Sequence, residues 1–273
     1  MFVHADIYMC KWVQRTNIYI VHGIEPMYSP LEQFTIVSIV PMHIGKFYFS
    51  ITNSAVFMLL SVGVLLFFAQ QALNTPKVLP TSWQSVYEMM YEFISGLLDE
   101  QVGEKGKPYF AIIFTTFSFV LCCNLMGMIP YSFTVTSHFV ITFSLSFMIF
   151  IGVTFIGFEK HGMHYLSFFL PPGAPLALSP FLVVIELISY AFRGISLGVR
   201  LFANMMAGHT LLKILSGFAW SMLTLGGVLS IASVVPLAVV FALTFLEVGV
   251  ACLQAYVFTI LTCIYLNDAI HLH

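Results

Sequence analysis

Five stretches of the chain are apolar at membrane-crossing length, and ionisable residues interrupt them at only a few positions. The first is FYFSITNSAVFMLLSVGVLLFF, about Phe47 to Phe68. At a rise of 1.5 Å per residue, ~20 helical residues cross the ~30 Å hydrocarbon layer. This stretch therefore predicts a first span, and Pro108–Ile129 and His138–Phe158 predict a second and a third. Two much longer segments follow, about Leu178 to Phe218 and Leu229 to Leu266. Roughly forty helical residues extend ~60 Å, twice the layer thickness. Each segment must then contain a hidden turn or form a steeply tilted or bent helix. Gly194, Gly198 and Gly208 are candidate bend points, and Gly226, Gly227 and Pro236 are candidates for the hairpin between the two segments.

Ser82–Gln101 has a different pattern. Trp83, Val86, Tyr87, Met90, Phe93, Ile94 and Leu97 recur at helical spacing, while Glu88, Glu92, Asp99 and Glu100 supply a charged side. That pattern predicts an amphipathic helix, lying at the membrane interface or packed on other subunits. The fold class expected is an all-α polytopic membrane protein of about five transmembrane helices plus one interfacial helix, with two long tilted C-terminal helices.

Composition agrees. The chain is 59% hydrophobic and 8% charged over 273 residues, with mean hydropathy +0.96. A net charge of −2 without a basic cluster excludes a nucleic-acid footprint. Five cysteines without a CxxC pair argue against a disulfide framework or thiolate metal site. His138, His161 and His164 include an H-x-x-H spacing, too weak to specify a metal. No HExxH or GxxxxGK[ST] element occurs, and the GxSxG string GISLG lies inside a long apolar segment and is not placed for hydrolysis, so neither hydrolysis nor nucleotide binding is expected, and no cofactor is implied. Lys77, Lys105 and Lys107 stand against five acidic residues between the first two spans, so charge bias leaves orientation open. Residues 1–29 form an N-terminal extension, either a removable presequence or an ordinary aqueous segment, ahead of a membrane domain over 30–273.

The chemistry concentrates where charge enters the apolar segments. Arg200 lies within PFLVVIELISYAFRGISLGVRLFANMMAGHTLLKILSGF. An arginine at a bilayer centre costs ~2.5–3.5 kcal/mol on insertion scales, so it is a functional-site hypothesis by default. Glu186, Arg193 and Arg200 are spaced by sevens and drift only ~20° per step on a helix. With Ser189, Ser196 and Asn204 they form a polar seam ~27 Å long. For Arg193 a packing or headgroup-anchoring role stands beside a functional one. His209, nine residues past Arg200, points to the opposite side, with Lys213 one turn on. In the second long segment Glu247 and Gln254 share a face, near Thr244. Asn124 sits near the end of the second span, where an amide either fastens helices or serves the polar route. Two polar faces at different heights suit two aqueous regions approaching a protein barrier. Whether Glu247 meets His209 is left open by the sequence.

The run ISLGVRLFANMMAGH, with LEVGVACLQAYVFTILTCIYL downstream, resembles the mitochondrial subunit a family of rotary ATP synthases. PLEQF, PMHIGKFYFSITNS, CNLMGMIPYSFTVTSHF and IYLNDAIHLH are most similar to plant-type versions, and the likeness runs from about Pro30 to the C-terminus. The resemblance implies a proton-conducting stator subunit with no catalytic site of its own. Arg200 would face a ring of c subunits, attract the deprotonated ring carboxylate and block direct leakage. Asn204, His209, Glu247 and Gln254 would line or shape the proton route, and Glu186 the matrix-side exit. The implied partners are the c-ring, peripheral-stalk and other membrane-sector subunits, and lipids including cardiolipin. The implied setting is the mitochondrial inner membrane, N-terminus toward the intermembrane space and C-terminus toward the matrix. A self-contained secondary transporter and a structural assembly protein are the competing readings; discontinuous paired repeats would favour the transporter.

Overall fold

The computed structural model describes residues 31–41, 43–44, 47–48, 50–73, 80–129, 132–169 and 179–271. The extension expected over residues 1–29 lies outside them. Glu32–Phe34 form a single 3-10 turn, which belongs to a separate N-terminal unit ending at Thr35.

From Ile36 onward, four short strands precede the helices. β1 (Ser38–Val40) pairs antiparallel with β4 (Ile51–Thr52), and β2 (His43–Ile44) with β3 (Phe47–Tyr48). The first long helix, α1 (Asn53–Leu73), therefore begins six residues after the Phe47 expected from hydropathy. Side-chain oxygens hold its start: the amide of Ala55 lies 3.5 Å from Thr52 Oγ1, and that of Ser54 lies 2.9 Å from Asn53 Oδ1. Asn53 Oδ1 also accepts from the Val37 amide at 3.3 Å, tying the strand pair to the helix. Hydropathy sees only that the FYFSIT run is apolar. Its β-branched and aromatic residues are equally at home in a strand.

α2 (Ser82–Gln101) has the bounds expected of the amphipathic helix. Ile94, Leu97 and Leu98 are buried, but Trp83, Val86 and Phe93 are exposed and Gln84 is buried. The buried stripe is thus narrower than the apolar one. Gln84 donates to Glu88 at 2.8 Å, which keeps its amide bonded. Aromatic pairs fasten α2 to its neighbours: Tyr91 with Phe110 at 4.7 Å, Phe93 with Tyr256 at 5.8 Å, and Phe68 with Trp83 at 5.2 Å.

A 3-10 segment (Glu104–Tyr109) leads into α3 (Phe110–Gly127), and α4 (Phe139–His161) follows a short loop and a further 3-10 turn. The first long C-terminal segment is continuous as α5 (Ser179–Leu225), whereas the second breaks at Ser233 into the five-residue α6 (Val228–Ala232) and α7 (Val234–Ile270). Gly226 and Gly227 have φ of 71° and 63°, which side-chain-bearing residues rarely adopt, and they make the hairpin. Five helices are long and apolar enough to cross a membrane, and the long C-terminal pair is bent. The paired breaks that a transporter reading would favour are absent among the described residues of α5 and α7.

Gly194 and Gly198, expected as bend points, admit close approach. A Cβ on Gly198 would lie 3.1 Å from the Phe143 Cα, and one on Gly194 would lie 3.0 Å from the Phe150 ring. Ser146 of α4 donates to the Gly194 carbonyl. This is the small-xxx-small packing by which membrane helices come close without a hydrophobic drive. α5 packs on α4 and α7, and α7 on α3. Leu197, Leu201, Ala255 and Phe258 are buried where these helices meet.

Candidate functional site

α5 and α7 bring the expected polar residues into three groups at different heights. In the middle, Arg200 is exposed on α5 and makes no ion pair or hydrogen bond among the described residues. One turn on, Asn204 Nδ2 donates to Gln254 Oε1 of α7 at 2.7 Å. Gln254 is 4% exposed and its Nε2 is buried without a partner among the described residues. Asn124 of α3 is fully buried and donates through Nδ2 to the Ala251 carbonyl at 3.2 Å. Its Oδ1 likewise has no partner among the described residues. Ala251 and Gln254 are one turn apart on α7, so the two amides tie α3 and α5 to adjacent levels of the same helix.

Toward the N-terminal end of α5, Arg193 is fully engaged. Its Nη1 lies 2.9 Å from Asp268 Oδ2 and its Nη2 3.8 Å from Glu186 Oε1, with the guanidinium 5.9 Å from the Tyr265 ring centre. A cavity of about one water's size adjoins it, lined by Ser146, Tyr190 and Tyr265. Tyr190 continues a hydroxyl chain, 2.7 Å from Thr154 Oγ1 and 3.1 Å from the Tyr165 hydroxyl. The two open readings for Arg193 thus meet in one arrangement: it is an interhelical ion pair set beside the expected Glu186.

On the C-terminal side, His209 Nε2 lies 3.1 Å from Thr134 Oγ1. Both carboxyl oxygens of Glu247 are buried with no hydrogen-bond partner among the described residues. Glu247 packs against Gly208: a Cβ there would collide with Oε1. The third candidate bend point is therefore also a close-approach site. Glu247 and His209 are not hydrogen-bonded to each other, although Glu247 reaches the residue next to His209. A buried carboxyl with neither oxygen bonded costs free energy that packing must offset.

The structure brings Arg200, Asn204 and Gln254 to one level, Glu186 and Arg193 to a second, and His209 and Glu247 to a third. Asn124 joins the middle group. Asp268 was missed, although it was accessible to the same reasoning: fourteen residues past Gln254, it returns to within ~40° of that face of an α-helix. Thr134 lies in the loop before α4, and no sequence signal linked it to a residue seventy-five positions away.

The sequence matches the family described as ATP synthase A chain over residues 54–267. It is 59% identical over 249 residues to ATP synthase subunit a of Marchantia polymorpha, covering 90% of this chain and 99% of that one. Against ATP synthase subunit a-2 of Arabidopsis thaliana identity is 58% over 252 residues, 90% of this chain and 72% of the relative. Against ATP synthase subunit a of Chondrus crispus it is 51% over 245 residues, 90% and 97% of the two chains. The family match takes in Asn124, Glu186, Arg193, Arg200, Asn204, His209, Glu247 and Gln254, and stops one residue short of Asp268.

Proposed function

The chain belongs to the ATP synthase A chain family, and from that premise we propose the residue-level route by which it conducts protons as the stator of the membrane sector. It is a multi-pass, non-catalytic subunit of the mitochondrial inner membrane. Its partners are the ring of c subunits, the peripheral stalk, other membrane-sector subunits and lipids, cardiolipin included. Residues 30–273 form the membrane domain and residues 1–29 a variable extension. The N-terminus faces the intermembrane space and the C-terminus the matrix.

The observation that carries the route is the contrast between two arginines on one helix. Arg193 is neutralised by Asp268 and Glu186, whereas Arg200, unpaired among the described residues, presents its cation on an exposed face. An unpaired guanidinium at membrane depth calls for an anion from outside the chain, and a ring carboxylate is that anion. A proton arriving from the intermembrane side passes the His209 and Glu247 region and neutralises a ring carboxylate. The neutral acid then moves into lipid at far lower cost than its anion would. After most of a turn it loses the proton toward Glu186 and the matrix. Arg200 attracts the anion so formed and repels a proton moving straight between the two regions. On α5, Arg200 stands ~21 Å along the axis from Glu186 and ~13 Å from His209, so the two polar regions are offset in height. Asn204 and Gln254 hold the helix pair in register at the barrier, and Asn124 brings a polar group of α3 beside it. Each proton brings ~2.3 kcal/mol per 100 mV of membrane potential, and the offset is what converts that energy into rotation.

The test is Arg200→Ala in the assembled complex in sealed membranes. Proton-driven ATP synthesis is expected to fall to the background rate. Normal coupled synthesis would defeat the barrier assignment.

A further inference from the structure

Thr134 is 6% exposed and belongs to the segment joining α3 to α4. Its Oγ1 lies between two partners: the Gly127 carbonyl oxygen at 3.3 Å and His209 Nε2 at 3.1 Å. Gly127 closes α3, where the last carbonyls have no helical amide to accept from. The threonine hydroxyl has one proton and the carbonyl can only accept, so both contacts are hydrogen bonds together when Thr134 donates to Gly127. The contact with His209 is then a hydrogen bond only if Nε2 carries a proton and gives it to Oγ1, which leaves Nδ1 as the accepting nitrogen. Gly127 makes the arrangement sterically feasible. A Cβ there would stand 2.6 Å from Thr134 Cγ2 and 2.8 Å from Oγ1, and would displace the threonine.

We infer that Thr134, seated on Gly127, is a positioning residue that holds His209 in its Nε2–H form and presents Nδ1 as the atom that takes up the travelling proton. The inference rests on the proposed place of His209 in the proton path and adds the atom used and the group that fixes it. A proton binds Nδ1 to give the imidazolium and leaves from Nδ1 to the next carboxylate, while Nε2 keeps its own proton throughout. Orientation is therefore preserved over each passage, because the bond to Thr134 is never broken.

The experiment compares T134V, T134S and H209A in the assembled complex in sealed membranes, with proton flux normalised to the amount of complex. T134V keeps the shape and removes the hydroxyl; losing that bond is expected to slow flux about tenfold, and T134S is expected to restore it. T134V and T134S equally slow would assign Thr134 to packing and overturn the inference. T134V at the wild-type rate beside a slow H209A would overturn it while leaving His209 in the path. A wild-type rate in H209A would remove the underlying reading, and the inference with it. Nitrogen-15 NMR of the wild-type complex, with the His209 signal assigned by its loss in H209Q, tests the tautomer without altering Thr134. A protonated Nε2 and bare Nδ1 are expected, and the reverse would overturn the inference.

Discussion

Arg193 reaches from α5 to the far end of α7, where its Nη1 lies 2.9 Å from Asp268 Oδ2. The contact joins two helices that also meet at Asn204 and Gln254, so the pair is pinned at two heights. Between and beside these pins the helices differ in what they leave unpaired. Among the described residues, Arg200 has no partner on its exposed face and the Glu247 carboxyl is buried without a hydrogen bond.

The ion pair is half exposed, at 28% for Arg193 and 31% for Asp268, so solvent screens part of its attraction. A double-mutant cycle of R193A and D268A is expected to give a coupling free energy of about 1 kcal/mol. It is measured as the loss of assembled complex on thermal challenge. Strictly additive losses would mean that the pair does not tie the helices together.

Glu247→Gln keeps the shape of the side chain and removes its titratable proton. Proton flux is expected to fall by about a hundredfold, in line with the loss of a positioned acid–base group, while the amount of assembled complex stays the same. A flux–pH profile matching the wild type would take Glu247 out of the path.

Gly208→Ala alters no ionisable group yet places a methyl against Glu247 Oε1. The carboxyl, as the far end of a flexible side chain, must move aside to admit it. The expected result is slowed proton flux with little change in the unfolding temperature of the complex, and an unfolding temperature lowered by many degrees would show that the helix and not the carboxyl gives way. An unchanged flux would show that the close approach is not required.

Asn124→Leu replaces a buried amide by an apolar group of similar size. Interhelical hydrogen bonds in membranes average ~0.6 kcal/mol, and Asn124 Oδ1 has no partner among the described residues. Stability is therefore expected to change by less than about 1 kcal/mol, read from detergent or thermal unfolding of the complex. A loss of several kcal/mol would mark Asn124 as a principal structural fastener.

Helical periodicity alone placed Glu186, Arg193, Arg200 and Asn204 on one seam, set His209 on the other side, and paired Glu247 with Gln254. Those relations hold because residues on one helix share a fixed rotation per position. The five spans were equally legible, since a run of apolar residues long enough to cross lipid has few other stable forms. The start of the first span was not. Phe47–Thr52 satisfies hydropathy as well as α1 does, and cross-strand pairing with the residues before it decided the matter. Only the tertiary structure could set Arg193 against Asp268, Glu247 against Gly208, and Thr134 between Gly127 and His209. Each of these contacts depends on how closely two helices approach and at what relative height. That distance is decided by glycines and short polar side chains at the crossing, whose effect appears only when a second helix is present.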